Sequence, residues 1–137
     1  MRAHSALAAL LFSLTLCSTQ SAAKDAWGAF TACCAGGGRG SSCNGAVSTG
    51  FASGPSQDAA KAGSYQQAVS DVNSSVSWKC STVRVFNRGC AYIAEGCNDN
   101  QCAWVIAGSG AEALRKLDTG GYPKHEASPR GGGCVGQ

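Results

Sequence analysis

Charge and aromatic side chains are scarce in this chain: 14% of its 137 residues are charged and 7% are aromatic, with three prolines, one methionine and two histidines. The formal net charge is +3 and neither sign gathers into a run. An extended basic surface for nucleic acid or for an anionic membrane is therefore not implied. No apolar stretch approaches the ~20 residues needed to cross a hydrocarbon core. The longest, Ala6 to Leu16, is too short to span. Only His125 lies beyond the first 23 residues, and the cysteines lack CxxC-type pairs, which disfavours a structural zinc site. No cofactor is expected.

Three features stand out against these absences. Residues 1–23 read as a secretory signal, with Arg2 in the leading region, the apolar run, and Ser21-Ala22-Ala23 before a cleavage site at Lys24. Cys17, three residues after Leu14, raises a lipoprotein leader as the rival, but Leu16 stands where a lipobox has Gly, Ala or Ser. Residues 24–137 then form one domain, with ten basic and eight acidic residues and a net charge of +2. The second feature is eight cysteines: Cys33, Cys34, Cys43, Cys80, Cys90, Cys97, Cys102 and Cys134. An even number in an exported chain reads as a disulfide framework and places the protein outside the cell or in the periplasm. The third is nineteen glycines, all beyond the leader, which call for much turn and loop.

Periodicity places the elements. Ala26 to Cys33 and Ala46 to Phe51 read as strands around the loop Gly36-Gly37-Gly38-Arg39-Gly40. From Gln57 to about Asn73 the apolar residues Ala59, Ala60, Tyr65, Ala68, Val69 and Val72 recur at helical spacing, with Gly63 weakening the middle. Ser81 to Phe86, Ala91 to Ala94 and Cys102 to Ala107 read as further strands, Asn87-Arg88-Gly89 as a tight turn, and Ala111 to Leu117 as a short helix capped by Ser109 and stopped by Gly120. The tail from Tyr122, with Pro123, Pro129 and Gly131-Gly132-Gly133, reads as loop. Two similar halves emerge, each a cysteine-flanked hairpin followed by a helix, which duplication and coincidence explain equally well. The expected fold is α+β: one antiparallel sheet of about five strands with two helices on one face, stapled by disulfides.

The stretch Val83-Arg84-Val85-Phe86-Asn87-Arg88-Gly89-Cys90-Ala91-Tyr92-Ile93-Ala94 resembles the bacterial exported domain of unknown function DUF4189. Trp27-Gly28-Ala29 at the start and Gly108-Ser109-Gly110-Ala111-Glu112-Ala113-Leu114 later are similar to its opening segment and its second alanine-rich helix. The longer first hairpin with Cys33, Cys34 and Cys43, and the segment Cys97-Asn98-Asp99-Asn100-Gln101-Cys102, depart from the family pattern. The resemblance implies a fold and a compartment; the family has no established activity to transfer.

Candidate chemistry is thin. His125 with Glu126 would make a base and its orienter, but neighbours in an extended chain do not face one another, so His125 reads as a solvated loop residue. Gly108-Ser109-Gly110 lacks the flanks of a nucleophile elbow. The glycine loop has no Lys followed by Ser or Thr as a phosphate cradle requires. Glu95 and Asp99 read as solvated turn residues, a setting that leaves a carboxyl pKa unraised. With Asn98 and Asn100 they lack the twelve-residue pattern of a calcium loop. Trp27 and Trp104 read as core, and Trp78 as the candidate contact with a partner.

The functional expectation is an exported non-catalytic binding protein, an inhibitor or immunity protein acting on another protein in the envelope or outside the cell. The alternative is a secreted effector or enzyme with an unrecognised site. For the bridges, the four-residue turn Asn98 to Gln101 puts Cys97 opposite Cys102. The same logic pairs Cys34 with Cys43 across the glycine loop, with Cys33 as a competitor. Cys33, Cys80, Cys90 and Cys134 remain, and if all eight are oxidised at least one of their pairings ties down the tail.

Overall fold

The structure, a computed structural model, describes residues 25–72 and 75–137. The expected leader and its cleavage site after Ala23 lie outside these residues. Among them are nine strands and two helices: β1 (Trp27–Ala35), β2 (Gly38–Arg39), β3 (Ser42–Cys43), β4 (Val47–Gly54), α1 (Gln57–Ser70), β5 (Trp78–Phe86), β6 (Gly89–Cys97), β7 (Cys102–Ala107), α2 (Gly110–Thr119), β8 (Lys124–His125) and β9 (Gly131–Val135). Every strand pair is antiparallel. The protein is an α+β fold held by four disulfides.

The strands divide into two sheets rather than one. The first has the order β4-β1-β5; the second runs β2-β3-β7-β6-β8, with β9 also on β6. Alternation along the strands explains the division. Phe30 of β1 is fully buried against Phe51 and Phe86, with ring centroids 5.0 and 5.8 Å away, and packs on Ala91, Ile93, Trp104 and Ile106 of the second sheet. The next residue, Thr31, faces the other way and meets Ser64 of α1. In β6 and β7 the residues between those inward ones, Ala94, Val105 and Ala107, pack on Ala113 and Leu117 of α2. With a period of two, each sheet has an inner and an outer face, so the helices cover opposite outsides and the layers run α1, first sheet, second sheet, α2. Placing both helices on one face required a single sheet; the apolar inner faces of two sheets bury each other instead.

Both helices begin as their sequences predict. The hydroxyls of Ser56 and Ser109 cap the amides of Ala59 and Glu112, and α2 ends at Gly120. The buried stripe of α1 keeps Ala60 and Ala68 of the expected apolar one but replaces its larger members with a serine. Ala60, Ser64 and Ala68 face the sheet, while Tyr65 is 51% exposed. Small residues win because the backbones approach closely: a Cβ on Gly50 would lie 2.2 Å from the Ser64 carbonyl oxygen, and one on Gly63 would lie 2.7 Å from the Ala52 Cβ.

The tail is corrected from loop to strand. β8 pairs with the end of β6 (Gly96 with His125) and β9 with its start (Ile93 with Gly131 through Gly89 with Val135). Gly131 to Gly133 serve a close approach, since a Cβ on Gly132 would lie 2.5 Å from the Ala91 carbonyl oxygen and one on Gly131 would lie 3.0 Å from the Phe51 Cβ. Between β8 and β9 the tail bows away from β6 opposite Ala94 and Glu95, and this bow opens the cleft described below.

The glycine loop is also more than a loop. Gly36, Gly37 and Gly40 take φ of +70°, +75° and +61°, and the tip they shape carries β2 and β3. β3 then pairs with β7, so the tip of the first hairpin is built into the second sheet. β5 sits at the edge of the first sheet, paired on one side with β1 and on the other with no described strand. Its register shifts across from Phe30 and Thr31, and Lys79 and Arg84 on it are exposed. No described helix is long and apolar enough to cross a membrane.

Candidate functional site

A concavity of about 460 Å³ lies where the tail bows away from β6 and is bordered by β4. Glu95, Lys124, His125, Glu126, Ser128 and Arg130 contribute to its lining, beside the Cys97–Cys102 turn. Glu95 is the residue that sequence reading misplaced. It belongs to strand β6, and its side chain is only 16% exposed. Burial raises its pKa above the ordinary carboxylate value. The Thr49 hydroxyl, donating to Oε1 at 2.7 Å, and the Arg130 guanidinium, 3.6 Å away, offset part of that rise.

Burial outweighs the cation, and Arg130 is shared. Its Nη2 lies 3.2 Å from Asp71 and its Nη1 lies 3.5 Å from Glu126, so one guanidinium serves three carboxylates. Its backbone amide donates to the Ile93 carbonyl oxygen, which fixes the root of the side chain beside β6. The charge of Glu126 pushes the Glu95 pKa further up. Around Arg130 the balance is thus three carboxylates against one guanidinium, while Lys124, the other permanent cation of the lining, is paired with Asp99.

His125 is likewise not a free loop residue. Its side chain is 14% exposed; Nε2 donates to Asp118 at 2.7 Å and Nδ1 to the Glu126 carbonyl oxygen at 2.9 Å. Both partners only accept, and a neutral imidazole has one N–H, so only the imidazolium satisfies both. The Glu126 carbonyl and then Asp118 accordingly raise its pKa. His125 is opposite Gly96 in register, which places its ring on the α2 face, whereas Glu95 projects to the other face. The two do not form an acid–base pair. Glu126 contacts the ring through its backbone and sends its carboxylate to Arg130.

The remaining candidates fall elsewhere. Ser109 caps α2. Asn98 Oδ1 accepts from the amides of Asn100 and Gln101, both at 2.9 Å, and Asp99 takes the Lys124 ammonium, so these side chains serve the turn. Trp78 is the first residue of β5, opposite Ala35, half-buried and outside the cleft lining. Trp104 packs against the Phe30 cluster, whereas Trp27 is half-buried at the start of β1 and belongs to neither core cluster. The bridges are Cys33–Cys80, Cys34–Cys43, Cys90–Cys134 and Cys97–Cys102; the second and fourth are the pairs that hairpin geometry picks out, and the third ties the tail. Four bridges fit an oxidising compartment.

Arg130, Thr49 and Asp71 carried no motif. Glu95 did carry a signal: in Ala91-Tyr92-Ile93-Ala94-Glu95 it shares parity with Ala91 and Ile93, the inward residues of the strand. No family model matches the chain, and no curated protein and no solved structure is detectably similar to it.

Proposed function

We propose that this chain is an exported binding protein that uses the cleft beside β6 to grip a basic side chain of a protein partner in the envelope or outside the cell. Inhibitors and immunity proteins are the modules that work in this way. The observation that carries the reading is Glu95, a largely buried carboxyl at the cleft served by the Thr49 hydroxyl and by a share of one guanidinium. An entering ammonium or guanidinium adds a second cation to the three carboxylates that share Arg130 and favours the ionised form of Glu95. The secretory leader and the resemblance to DUF4189 support the same compartment and belong to this proposal. The disulfide at the turn beside the cleft supports it too, because a rim already ordered loses little entropy on binding.

The test is affinity capture from envelope extracts with residues 24–137, followed by reconstitution of a stoichiometric complex from the purified components. Glu95→Gln should then weaken that complex at least ~10-fold, as truncating one member of a desolvated charge pair does, and added salt should weaken the wild-type complex. An affinity unchanged by Glu95→Gln would overturn the reading.

A second reading is favoured by the same carboxyl. A glutamic acid with a raised pKa beside a second carboxylate is suited to donate a proton, which would make the chain a secreted enzyme. It separates from the first by what Glu95→Gln removes: turnover with binding retained, rather than binding itself.

A further inference from the structure

Four of the eight bridged cysteines meet along one row. Cys43 of β3 is directly opposite Cys102 of β7, and Cys102 is directly opposite Cys97 of β6. Directly opposite residues in an antiparallel ladder share a face, with Cα atoms about 4.5–5.5 Å apart, a range a disulfide accepts. Cys102 therefore has a cysteine within bonding reach on each side and is bonded to only one, Cys97. Cys43 is bonded away from the row, to Cys34 across the hairpin tip.

The pattern of bridges gives this row its interest. Cys33–Cys80 and Cys34–Cys43 close within residues 27–86, and Cys90–Cys134 and Cys97–Cys102 close within residues 89–135. Among the described residues no bridge joins the two halves, although the β2–β3 tip of the first is hydrogen-bonded into the sheet of the second. A Cys43–Cys102 bond would be such a link.

We propose that Cys97, Cys102, Cys43 and Cys34 form a thiol–disulfide exchange site that takes an external dithiol and moves a bridge from the hairpin tip to the seam between the halves. Entry is at Cys97–Cys102, because both residues of that bridge are half-buried at the cleft, whereas in Cys34–Cys43 only Cys34 is half-buried and Cys43 is 1% exposed. A thiolate of the dithiol attacks the Cys97 sulfur, the bond to Cys102 breaks, and Cys102 leaves as a thiolate. That thiolate attacks the Cys43 sulfur, forms the Cys43–Cys102 bond and expels Cys34, which takes a proton from water. The second sulfur of the dithiol then attacks the first, breaks the mixed disulfide and releases Cys97 as a thiolate, which is protonated. The dithiol leaves oxidised by two electrons, and the four protein sulfurs keep one bridge where they had two. The inner step needs no external reagent at the buried sulfur, since the attacking group is already held beside it.

The exposed Cys90–Cys134 bridge is the internal control. It is reachable by the same reagent, and β6 begins its pairing with β7 only at Tyr92, so no cysteine lies on the other side of Cys90. Reduction there ends as two free thiols.

The experiment titrates the folded wild-type chain with dithiothreitol, quenches with iodoacetamide, and maps the bridges of every molecule alkylated at Cys97. The expected product carries a Cys43–Cys102 bridge and a second alkyl group on Cys34. Alkylation of Cys97 together with Cys102, with Cys34–Cys43 intact, overturns the proposal. A Cys97→Ser variant tests the inner step without reductant: in the folded variant Cys43–Cys102 should form and Cys34 should be the free thiol. Retention of Cys34–Cys43 with a free Cys102 counts against exchange, and the titration of the wild type decides the matter should the variant not fold.

Discussion

Residues 27–86 and 89–135 run through the same order of elements: a hairpin, a helix on its outer face, and a third strand that returns to the free side of the first. The strand orders correspond, β4-β1-β5 and β7-β6-β9, and each half has one bridge at its hairpin turn and one from the central strand to the returning strand. The halves differ in how they hold the helix. In the second half, Leu117 and Ala113 of α2 pack into Ala94 and Ala107, and apolar burial does the work. In the first half, α1 lies so close that its largest fully buried side chain is a serine. Hydroxyls bind it there: Thr31 and Ser64 are 2.7 Å apart, and Ser48 donates to the Ala68 carbonyl oxygen at 2.5 Å. One sheet-and-helix plan thus tolerates two kinds of seam, one held by a large side chain filling space and one by small residues and the hydroxyls between them.

Substitutions can break or sharpen this contrast. The two long bridges span 47 and 44 residues, so the chain-entropy account gives each the same stabilisation, about 4 kcal/mol. Replacing Cys90 and Cys134 with serine should lower the urea-unfolding free energy by about that amount, and replacing Cys33 and Cys80 should lower it further, because Cys33 is fully buried and its serine leaves a hydroxyl in the core. Equal losses would mean that the buried hydroxyl finds a partner. Leu117→Ala comes next, with a loss of about 3 kcal/mol from lost burial and the cavity left in the second seam. No helix residue facing the first seam is large enough for the corresponding deletion.

There the informative change is an addition. Gly50→Ala places a methyl 2.2 Å from the Ser64 carbonyl oxygen and should cost about 2 kcal/mol by forcing α1 outward. A neutral result in thermal melts would mean that the close approach is not tight. Glu95→Gln tests the cleft between the halves with a smaller effect. The folded pKa of Glu95 is raised, so the wild type loses stability as pH climbs through the unfolded value toward the folded one. The variant lacks that loss, and its stability relative to wild type should improve from acid to neutral pH. The smallest effect expected is for His125→Ala. The folded pKa of His125 is raised, so its contribution is present below the unfolded value near 6.5 and fades as pH rises through the folded value. Melts at pH 5.5 should separate variant from wild type, and melts well above the folded value should bring the two together.

How far the sequence revealed this architecture depends on how local each cause was. Hairpins, caps and the Cys97–Cys102 bridge follow from a few consecutive residues, and all are present. The stripe on α1 was legible in Ala60 and Ala68 but not in Ser64, because Tyr65 and Val69 also fit helical spacing, whereas the preference for small residues comes from Gly50 and Gly54 on another element. Gly131-Gly132-Gly133 read as loop because a strand that lacks side chains has no alternation to detect; its evidence is the rings of Phe51 and Tyr92 that need the space. In the cleft, parity alone would have turned Glu95 inward. Nothing local tied it to Arg130, which lies 35 residues later in the chain and reaches it only because the tail returns along β6.

The open edge of β5 bears on how molecules of this protein treat one another. A free strand edge invites a second chain to continue the ladder, and repetition of that event is the growth step of a fibril. The register shift beside Phe30 and Thr31 interrupts the straight row of amides and carbonyls such growth would copy. Lys79 and Arg84 add like-charge repulsion between identical edges, and from Val72 to Ala94 no acidic residue relieves it. At this edge, growth of one molecule onto another is thus opposed by two cations and one extra residue in a single strand.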